Sequence, residues 1–464
     1  MMTNCNGQSL QMQTENRRTL VASFDGGQIC SDAGAILLKQ VEQATGIIQQ
    51  FAQCFKDHRN PDLITHTVEQ LVAQRIYALA LGYEDLNDHD ELRTDTLLAT
   101  LVGKAQPDQQ PLAGKSTLNR LELTPVRANA QSRYKKIAVQ RHEIEQFFVN
   151  VFLQSYRKTP KEIVLDIDAT DDPLHGDQLG KFFHGYYGHY CYLPLYIFCG
   201  HHLLCARLRP ADIDGAAGSV KALDHIVKQI RKSWPKVHII VRGDSGFCRE
   251  SIMDWCEHNN VDYVLGLAKN ERLKQEIQSE LTQARQQYQA SHTPARVFKD
   301  FMYQTLKSWP HPRRVIGKAE VLSKGDNPRF IVTSLSKKQT DARTLYEQRY
   351  CARGEMENRI KEQQLYLFAD RTSCATMRAN QLRLWLSSVA YTLLNALRRL
   401  GLSGTALAKA TCQTIRLKLL KIGAQIRITV RKVWVHLSES YPYQDIFRQV
   451  HRNLARLQKR PLRC

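Results

Sequence analysis

One short segment in the middle of the chain restricts the fold more than any other. Residues 162–168 read E-I-V-L-D-I-D, so apolar residues alternate with residues of a second face. This period of two predicts a β-strand that is buried on one side. Asp166 and Asp168 lie on the other face, and an acid that ends a hydrophobic strand is poorly explained by packing. The segment therefore predicts a sheet that carries functional groups at a strand end.

The residues that follow predict a mixed α/β domain. The expected elements are, in order, strands at 193–198 and 202–208, a helix at 218–234, a strand at 237–241, a helix at 250–258 and a strand at 263–267. Together with the first strand they give the order β-β-β-α-β-α-β. Strands that alternate with helices in this way form a sheet covered by helices.

The pattern of polar and apolar residues changes again within this domain, at about residue 269. A polar helical piece and three strand-like runs between about 269 and 338 indicate a β-rich insertion. Two long helices are expected next, at 341–367 and 377–400. We therefore predict that the α/β domain spans residues 156–398 and contains this insertion.

Helical patterns dominate both flanks of the domain. Residues 1–155 are predicted to be mostly helical, with an amphipathic helix over Val68–Leu81 and a helix cap at Asp95 or Thr96. Residues 399–464 are predicted to form a basic helical region. From Tyr391 to the end the chain has 15 Lys or Arg residues but only two acidic residues.

Charge predicts the class of partner. Lys and Arg total 65 against 45 Asp and Glu, which gives a net charge of +20. An excess of this size predicts attraction to polyanions, above all nucleic acid, with affinity that falls as salt rises. We expect the N-terminal region to bind DNA or mediate self-association, and the basic C-terminal region to contact the DNA backbone.

Composition also excludes several classes. The first 30 residues are polar, and no apolar run approaches the about 20 residues that span a bilayer, so neither a secretory signal nor a membrane partner is expected. The 12 cysteines form no C-x-x-C pair, and those near His184, His189, His201 and His202 lack the spacing of zinc ligands. Free thiols in a cytoplasmic protein are expected.

Three acids form the candidate site. Asp168 ends the first strand, Asp244 follows the strand at 237–241, and Glu357 lies on the helix at 341–367. Such acids, if they converge, bind hard divalent cations through oxygen ligands. A plain surface helix with a Glu357–Lys361 ion pair is the alternative for the last of them.

Further residues on that helix support a site for phosphate. Tyr350 and Arg353 precede Glu357 at spacings that place all three on one stripe, and Lys361 follows one turn later. An aromatic ring, two cations and a carboxylate on one face suit the binding of a phosphate group.

The chain resembles a family of bacterial transposases over residues 60–445. The order Asp, Asp, Glu on these elements is similar to the ribonuclease-H-like DDE transposases of insertion sequences, in the branch with a β-rich insertion before the last acid. That branch carries the Tyr-x2-Arg-x3-Glu spacing of Tyr350, Arg353 and Glu357. The motifs D-A-T from Asp168, G-D-S-G-F around Asp244 and E-N-R-I-K-E from Glu357 also resemble it. A lysine that is frequent seven residues after the glutamate is replaced by Gln364, and Lys361 is a candidate substitute.

The resemblance favours Asp168 as the first acid. Asp166 is the alternative, or an acceptor behind the site, because it shares the face of Asp168. Glu355 competes with Glu357 but is out of step with Tyr350 and Arg353.

The resemblance also implies a mechanism. Asp168, Asp244 and Glu357 would bind two Mg²⁺ ions, for which Mn²⁺ substitutes, and would support DNA cleavage followed by transfer to a 3′-hydroxyl. It implies cut-and-paste transposition between terminal inverted repeats, a target DNA, a homodimeric synaptic complex and a hairpin intermediate. Trp309 is a candidate for stacking on a flipped base, and Tyr350, Arg353 and Lys361 for DNA contacts. The alternatives are a nuclease that does not join strands and an inactive DNA-binding relative.

Overall fold

The chain divides into two compact units. In this computed structural model the described residues are 9–14, 18–125 and 127–458. The central unit runs from Gln140 to Ser388, and the terminal unit combines the segments before Gln140 and after Ser388. Residues 1–139 of the predicted N-terminal region share one unit with the predicted C-terminal region, whereas residues 140–155 belong to the central unit. Residues 459–464 fall outside the described part.

A mixed sheet organises the central unit. Its strands are β1 (Glu162–Ala169), β2 (Leu195–Cys199), β3 (His202–Arg207), β4 (His238–Gly243), β5 (Asp262–Leu267), β6 (Ala295–Tyr303), β7 (Arg313–Leu322), β8 (Gly325–Asp326) and β9 (Arg329–Thr333). The spatial order is β3-β2-β1-β4-β5-β9-β7-β6, and β8 pairs with β7. Strands β1, β4 and β5 are parallel, whereas β2 is antiparallel to both β1 and β3. The predicted mixed α/β class and the order β-β-β-α-β-α-β are confirmed.

Helices cover both faces of this sheet. Those labelled here are α1 (Arg141–Gln154), α2 (Ser219–Ser233), α3 (Glu250–His258), α4 (Glu271–Glu276), α5 (Gln278–Ser291), α6 (Gly354–Leu367) and α7 (Met377–Ala396). On one face Leu165 and Ile167 of β1 join a core with Ile226 of α2 and Met253 of α3. Burial of each such side chain contributes about 1.5–3 kcal/mol. On the other face Ile240 and Val264 pack against residues that include Leu345 and Tyr346.

The β-rich insertion extends the sheet. Strand β9 pairs antiparallel with β5, and β7 and β6 continue outwards from it. The predicted strands are therefore present, and they cover an edge of β5 that would otherwise leave its backbone groups unpaired.

The predicted long helix at 341–367 is not one regular α-helix. Asp341 caps it by accepting a bond from the Thr344 amide at 3.0 Å. A wide π-helical turn (Leu345–Tyr350) and a tight 3-10 turn (Cys351–Arg353) then precede α6. Wide turns of this kind are frequent at functional sites, and this one carries Tyr350 at its end.

A small sheet interrupts the main one between β1 and β2. Its strands are Asp172–Pro173, Phe182–His184 and His189–Tyr192, with the last in the middle. Gly188 has a φ of +75° in the turn between the second and third strands, a conformation that favours glycine.

The terminal unit contains short strands as well as the predicted helices. Its helices are Ile36–Thr45, Ile47–Ala52, Val68–Leu81, Asp88–Leu92, Thr96–Val102, Lys115–Glu122, Cys412–Ile415 and Gln444–Gln458, with tighter or wider turns at Ala33–Ala35, Pro61–Leu63, Leu397–Gly401 and Arg416–Leu420. Its strands are Leu10–Gln13, Thr19–Ala22, Gln28–Cys30, Phe55–Asp57, Ile137–Val139, Ala424–Ile428 and Val433–Leu437.

The prediction that residues 399–464 are helical is therefore wrong in part. Ala424–Ile428 and Val433–Leu437 form a hairpin that pairs with Gln28–Cys30. Their sequences, A-Q-I-R-I and V-W-V-H-L, alternate with a period of two and contain β-branched residues, which favour strands. Among the described residues, no helix has the length and apolar character needed to cross a bilayer.

Candidate active site

Two of the three acids leave the sheet side by side. Ile167 of β1 and Gly243 of β4 are partners in a parallel pair of strands. The next residues, Asp168 and Asp244, therefore emerge at the same edge of the sheet. The Asp244 carboxylate accepts the Gly246 amide at 2.8 Å and so caps the turn after β4. The Asp168 carboxylate accepts the amide of Ala169 at 2.9 Å.

Arg353 connects the third acid to this edge. Its guanidinium lies 3.3 Å from Asp168 Oδ2 and 2.9 Å from Glu357 Oε1. The Asp168 side chain is only 14% exposed, whereas that of Glu357 is 47% exposed. Arg353 thus bridges the carboxylates of Asp168 and Glu357. A metal cation that bound both carboxylates would have to compete with this guanidinium.

The charges of the three acids act on one another. Burial raises the pKa of Asp168 to about 7, and the negative charges of Asp244 and Glu357 act in the same direction. The nearby Arg353 guanidinium opposes the rise. In turn, Asp168 and then Glu357 and Asp244 raise the pKa of Arg353 against the effect of its burial. The three acids therefore share one electrostatic site, where negative charge is concentrated and partly dehydrated, but their carboxylate oxygens do not all lie within 4.8 Å of one another.

Asp166, the alternative first acid, has a different partner. Arg242 of β4 donates to both of its carboxylate oxygens, at 2.8 Å for the Nη2 contact. Asp166 is 4% exposed. Arg242 also donates to the main-chain oxygen of Arg349, just before Tyr350. Asp166 therefore ties β1 and β4 to the segment that carries Tyr350 and Arg353, and its oxygens are already occupied.

Tyr350 lies across strand β5 beside the turn of Asp244. A Cβ placed on Gly266 would be 2.6 Å from Tyr350 Oη and 2.8 Å from the Ser245 amide nitrogen. Only a glycine at position 266 allows this approach. Burial raises the pKa of Tyr350, and the charge of Asp244 adds to the effect. The hydroxyl therefore stays protonated and can donate to an anionic group at the site.

The remaining helix residues divide between the site and its support. Lys361 is exposed one turn beyond Glu357, which leaves it accessible to a polyanion. Gln364 donates to the main-chain oxygen of Asp171 at 2.9 Å and to the Asp172 carboxylate at 3.0 Å. Glu355 lies 3.3 Å from Arg359 rather than next to Arg353. Gln364 thus has a structural partner, and Glu355 pairs with Arg359 rather than with Arg353.

Trp309 is a core residue in this structure. It is 6% exposed and belongs to the main core of the central unit. Tyr303 meets its ring edge-on at 5.9 Å, and the Arg313 guanidinium lies 5.4 Å from its ring centre. At 6% exposure the ring has little surface on which a base could stack, so the predicted stacking is not supported by this placement.

A second group of possible metal ligands lies elsewhere in the central unit. His142, Glu145 and His225 place one ligand atom each within 4.8 Å of one another, and they are the one such group among the described residues. Glu145, however, already binds Arg141 at 3.1 Å and Arg207 at 3.0 Å. Two guanidinium groups on the only carboxylate make this a poor cation site. The cysteine–histidine cluster does not form such a group, and the described cysteines are free thiols.

The donor set defines which ion the acid site suits. Asp168, Asp244 and Glu357 offer carboxylate oxygens without histidine or thiolate, which is the chemistry that Mg²⁺ and Mn²⁺ prefer. Burial and then repulsion from Asp244 raise the pKa of Asp168, and a bound cation would relieve that repulsion. The residues therefore suit a divalent hard metal.

Two supporting residues escaped the sequence analysis. Arg242 lies in V-R-G-D-S-G-F, two residues before Asp244. This spacing of two, which places both residues on the same strand face, was the available signal. Gly266 lies in an apolar strand, where an isolated glycine marks a close approach of another group. Nothing local to 345–350 indicates the wide turn that presents Tyr350.

Comparison with known proteins agrees with this geometry. A search of curated proteins returns no match. A family model described as transposase DDE domain group 1 matches residues 12–459, which is nearly the whole chain. The protein therefore belongs to the DDE transposase family.

Proposed function

We propose that this protein is a cut-and-paste transposase whose central unit has a ribonuclease-H-like fold. The observation that carries the proposal is the placement of three acids on one strand edge and the facing helix. Asp168 and Asp244 follow paired residues of β1 and β4, and Arg353 bonds both Asp168 and Glu357. The order β3-β2-β1-β4-β5, with β2 antiparallel, supports the fold assignment.

We assign the metal ligands to Asp168, Asp244 and Glu357. They would hold two Mg²⁺ ions, or Mn²⁺ in their place, and such ions activate the attacking oxygen and stabilise the leaving oxygen at phosphorus. Asp166 positions the site because it fixes Arg242 and, through it, the backbone before Tyr350. Asp168 must be ionised to bind a cation, so its raised pKa makes the site dependent on pH.

The other residues of the stripe would contact DNA. Arg353 can leave the carboxylates of Asp168 and Glu357 to the metals and bind a phosphate oxygen instead. Tyr350 can donate a hydrogen bond from its hydroxyl, and exposed Lys361 can bind the DNA backbone one helical turn further along. The contacts of Arg353 with Asp168 and Glu357 support this role for the stripe.

We infer the wider reaction from what the resemblance to these transposases implies. The substrate would be DNA ends with terminal inverted repeats, joined to a target DNA within a homodimeric synaptic complex in the bacterial cytoplasm. The terminal unit, which contains the N-terminal helices and the basic C-terminal segment, would bind DNA or mediate self-association. Its positive charge supports the first of these roles.

Strand transfer distinguishes a transposase from a nuclease. A labelled repeat end with a free 3′-hydroxyl is incubated with supercoiled plasmid, the protein and Mg²⁺, and the label is followed into the plasmid. A transposase joins this end and fails with a 3′-dideoxy end. Metal-dependent cutting of the plasmid without joining would assign the protein as a nuclease instead.

A further inference from the structure

The small sheet between β1 and β2 exposes an unusual number of aromatic rings. We call residues 181–192, K-F-F-H-G-Y-Y-G-H-Y-C-Y, the aromatic hairpin. Phe182, Phe183, Tyr186 and Tyr190 are 41%, 58%, 86% and 51% exposed. Apolar surface concentrated in this way marks an interaction site rather than a folding requirement.

The rings are ordered by the hairpin itself. Phe183 and Tyr190 are partners across the strands, and their rings meet edge-on at 5.6 Å. Tyr186 meets Tyr187 edge-on at 5.1 Å in the turn. The Gly188 amide donates to the His184 carbonyl oxygen at 2.8 Å, which closes this turn. The exposed rings therefore stand on a defined backbone.

One cation and two imidazoles lie among the rings. Lys181 Nζ is 5.5 Å from the centre of the Tyr190 ring and 2.7 Å from a carboxylate oxygen of Asp177. His184 and His189 are partners in the register, and the His184 ring packs 4.9 Å from that of Tyr187. Aromatic rings interleaved with cations form the surface on which unpaired nucleic-acid bases stack while their phosphates are neutralised.

The base of the hairpin is fixed to the acid site. His189 Nε2 lies 2.7 Å from an oxygen of Asp171, three residues after Asp168. Tyr187 packs against the cluster that also contacts Ala169, the residue next to Asp168. On the opposite side, Gln364 of α6 bonds Asp171 and Asp172. The hairpin thus adjoins the strand that carries the first acid and the helix that carries the third.

Further bonds hold the start of the hairpin in place. The Leu179 amide donates to the Ala375 carbonyl oxygen at 2.9 Å, and the Tyr192 hydroxyl donates to the Leu179 carbonyl oxygen at 2.7 Å. The exposed rings are therefore carried on a support that is fixed relative to the acids, as a positioning surface requires.

We propose that the aromatic hairpin is a stacking surface for unpaired bases of the DNA next to the bond on which the acids act. The inference rests on the proposed function for the identity of the DNA, but not for the binding itself. Stacking on Tyr186 and on the Phe183–Tyr190 pair would hold bases that leave the duplex during cleavage. The hairpin, rather than the buried Trp309, would then supply the rings on which unpaired bases stack.

The test measures binding without cleavage. Two duplexes of equal length, one blunt and one ending in unpaired thymidines with 2-aminopurine among them, are titrated with protein in EDTA. Anisotropy gives affinity, and quenching of 2-aminopurine reports stacking. Wild type should prefer the unpaired end. Tyr186→Ala and Phe183→Ala should each lower affinity for it roughly 5- to 100-fold and reduce quenching, and affinity for the blunt duplex should change less than about twofold.

Controls separate stacking from other effects. Tyr186→Phe keeps the ring and should behave as wild type. Tyr134→Ala removes another exposed tyrosine, 70% exposed and in the terminal unit, and should leave the preference intact. Thermal melting shows that each variant is folded. Equal losses on both duplexes, or no loss at all, would overturn the proposal, and so would a change in oligomeric state without a change in DNA binding. Because no cutting is required, a protein that stacks but does not cleave would refute only the proposed function.

Discussion

Replacing Asp168 by asparagine should stabilise the protein when no metal is present. The side chain is 14% exposed and lies among two other acids. Its pKa rises from an ordinary value of 3.8 to about 7, mainly because burial disfavours the charged form. The folded protein therefore holds the proton more tightly than the unfolded chain. Asparagine imitates the protonated side chain at every pH and removes the cost of ionisation.

The sign and size follow from this difference in proton binding. Between pH 3.8 and about 7 the folded state binds more protons, so this group lowers the stability of wild type as pH rises through that interval. One pKa unit corresponds to about 1.4 kcal/mol. At pH 8 Asp168→Asn should therefore exceed wild type in free energy of unfolding by about 1–4 kcal/mol. The gap should close as pH falls towards 4.

Urea unfolding in EDTA at several pH values measures this gap. Asp177→Asn is the matched control, because Asp177 is fully exposed and its replacement should change stability by less than about 0.5 kcal/mol. Addition of Mn²⁺ at pH 8 should stabilise wild type more than Asp168→Asn, since only wild type retains all three acids. An Asp168→Asn variant that is less stable than wild type at pH 8 in EDTA would refute the reasoning.

Three other perturbations test the placement of the site and its surroundings. Gly266→Ala would force a Cβ to within 2.6 Å of Tyr350 Oη and 2.8 Å of a backbone nitrogen; it should cost about 1–3 kcal/mol and impair cleavage. Gly215→Ala, with open space around it, should do neither in urea unfolding and cleavage assays. Trp309→Ala should lower the free energy of unfolding by about 3–5 kcal/mol and leave 2-aminopurine quenching intact, and loss of quenching in a stable variant would restore Trp309 as a base-stacking residue. DNA affinity measured by anisotropy should fall steeply and linearly on a log–log plot against salt, and a flat response would argue against contacts with phosphate by the basic segments.

Local signals explain which elements could be predicted from sequence. The helix Val68–Leu81 begins where Thr67 and Gln70 form a reciprocal capping box, a signal written in four consecutive positions. Asp95 caps the next predicted helix through the Leu98 amide. The strand at Glu162–Ala169 is equally local, because its alternation alone determines which face is buried.

Features that depend on distant residues could not be predicted in this way. The hairpin at 424–437 is stabilised by pairing with Gln28–Cys30, almost four hundred residues earlier. The partner of Asp166 is Arg242 on a neighbouring strand, so sequence left Asp166 and Asp168 as alternatives. Burial of Trp309 depends on Tyr303 and Arg313 around it. In each case tertiary contacts, rather than local preference, decide the outcome.

Cleavage of DNA that carries the sequences flanking the gene tests the central claim most directly. Wild type, Glu357→Gln and Glu355→Gln are incubated with end-labelled DNA and Mg²⁺ or Mn²⁺, and binding is measured in parallel. Glu355 is the matched control, because it lies on the same helix but bonds Arg359 instead of Arg353. The account predicts metal-dependent cutting at the repeat end by wild type and Glu355→Gln, and binding without cutting by Glu357→Gln. Cutting by Glu357→Gln at the wild-type rate would contradict it.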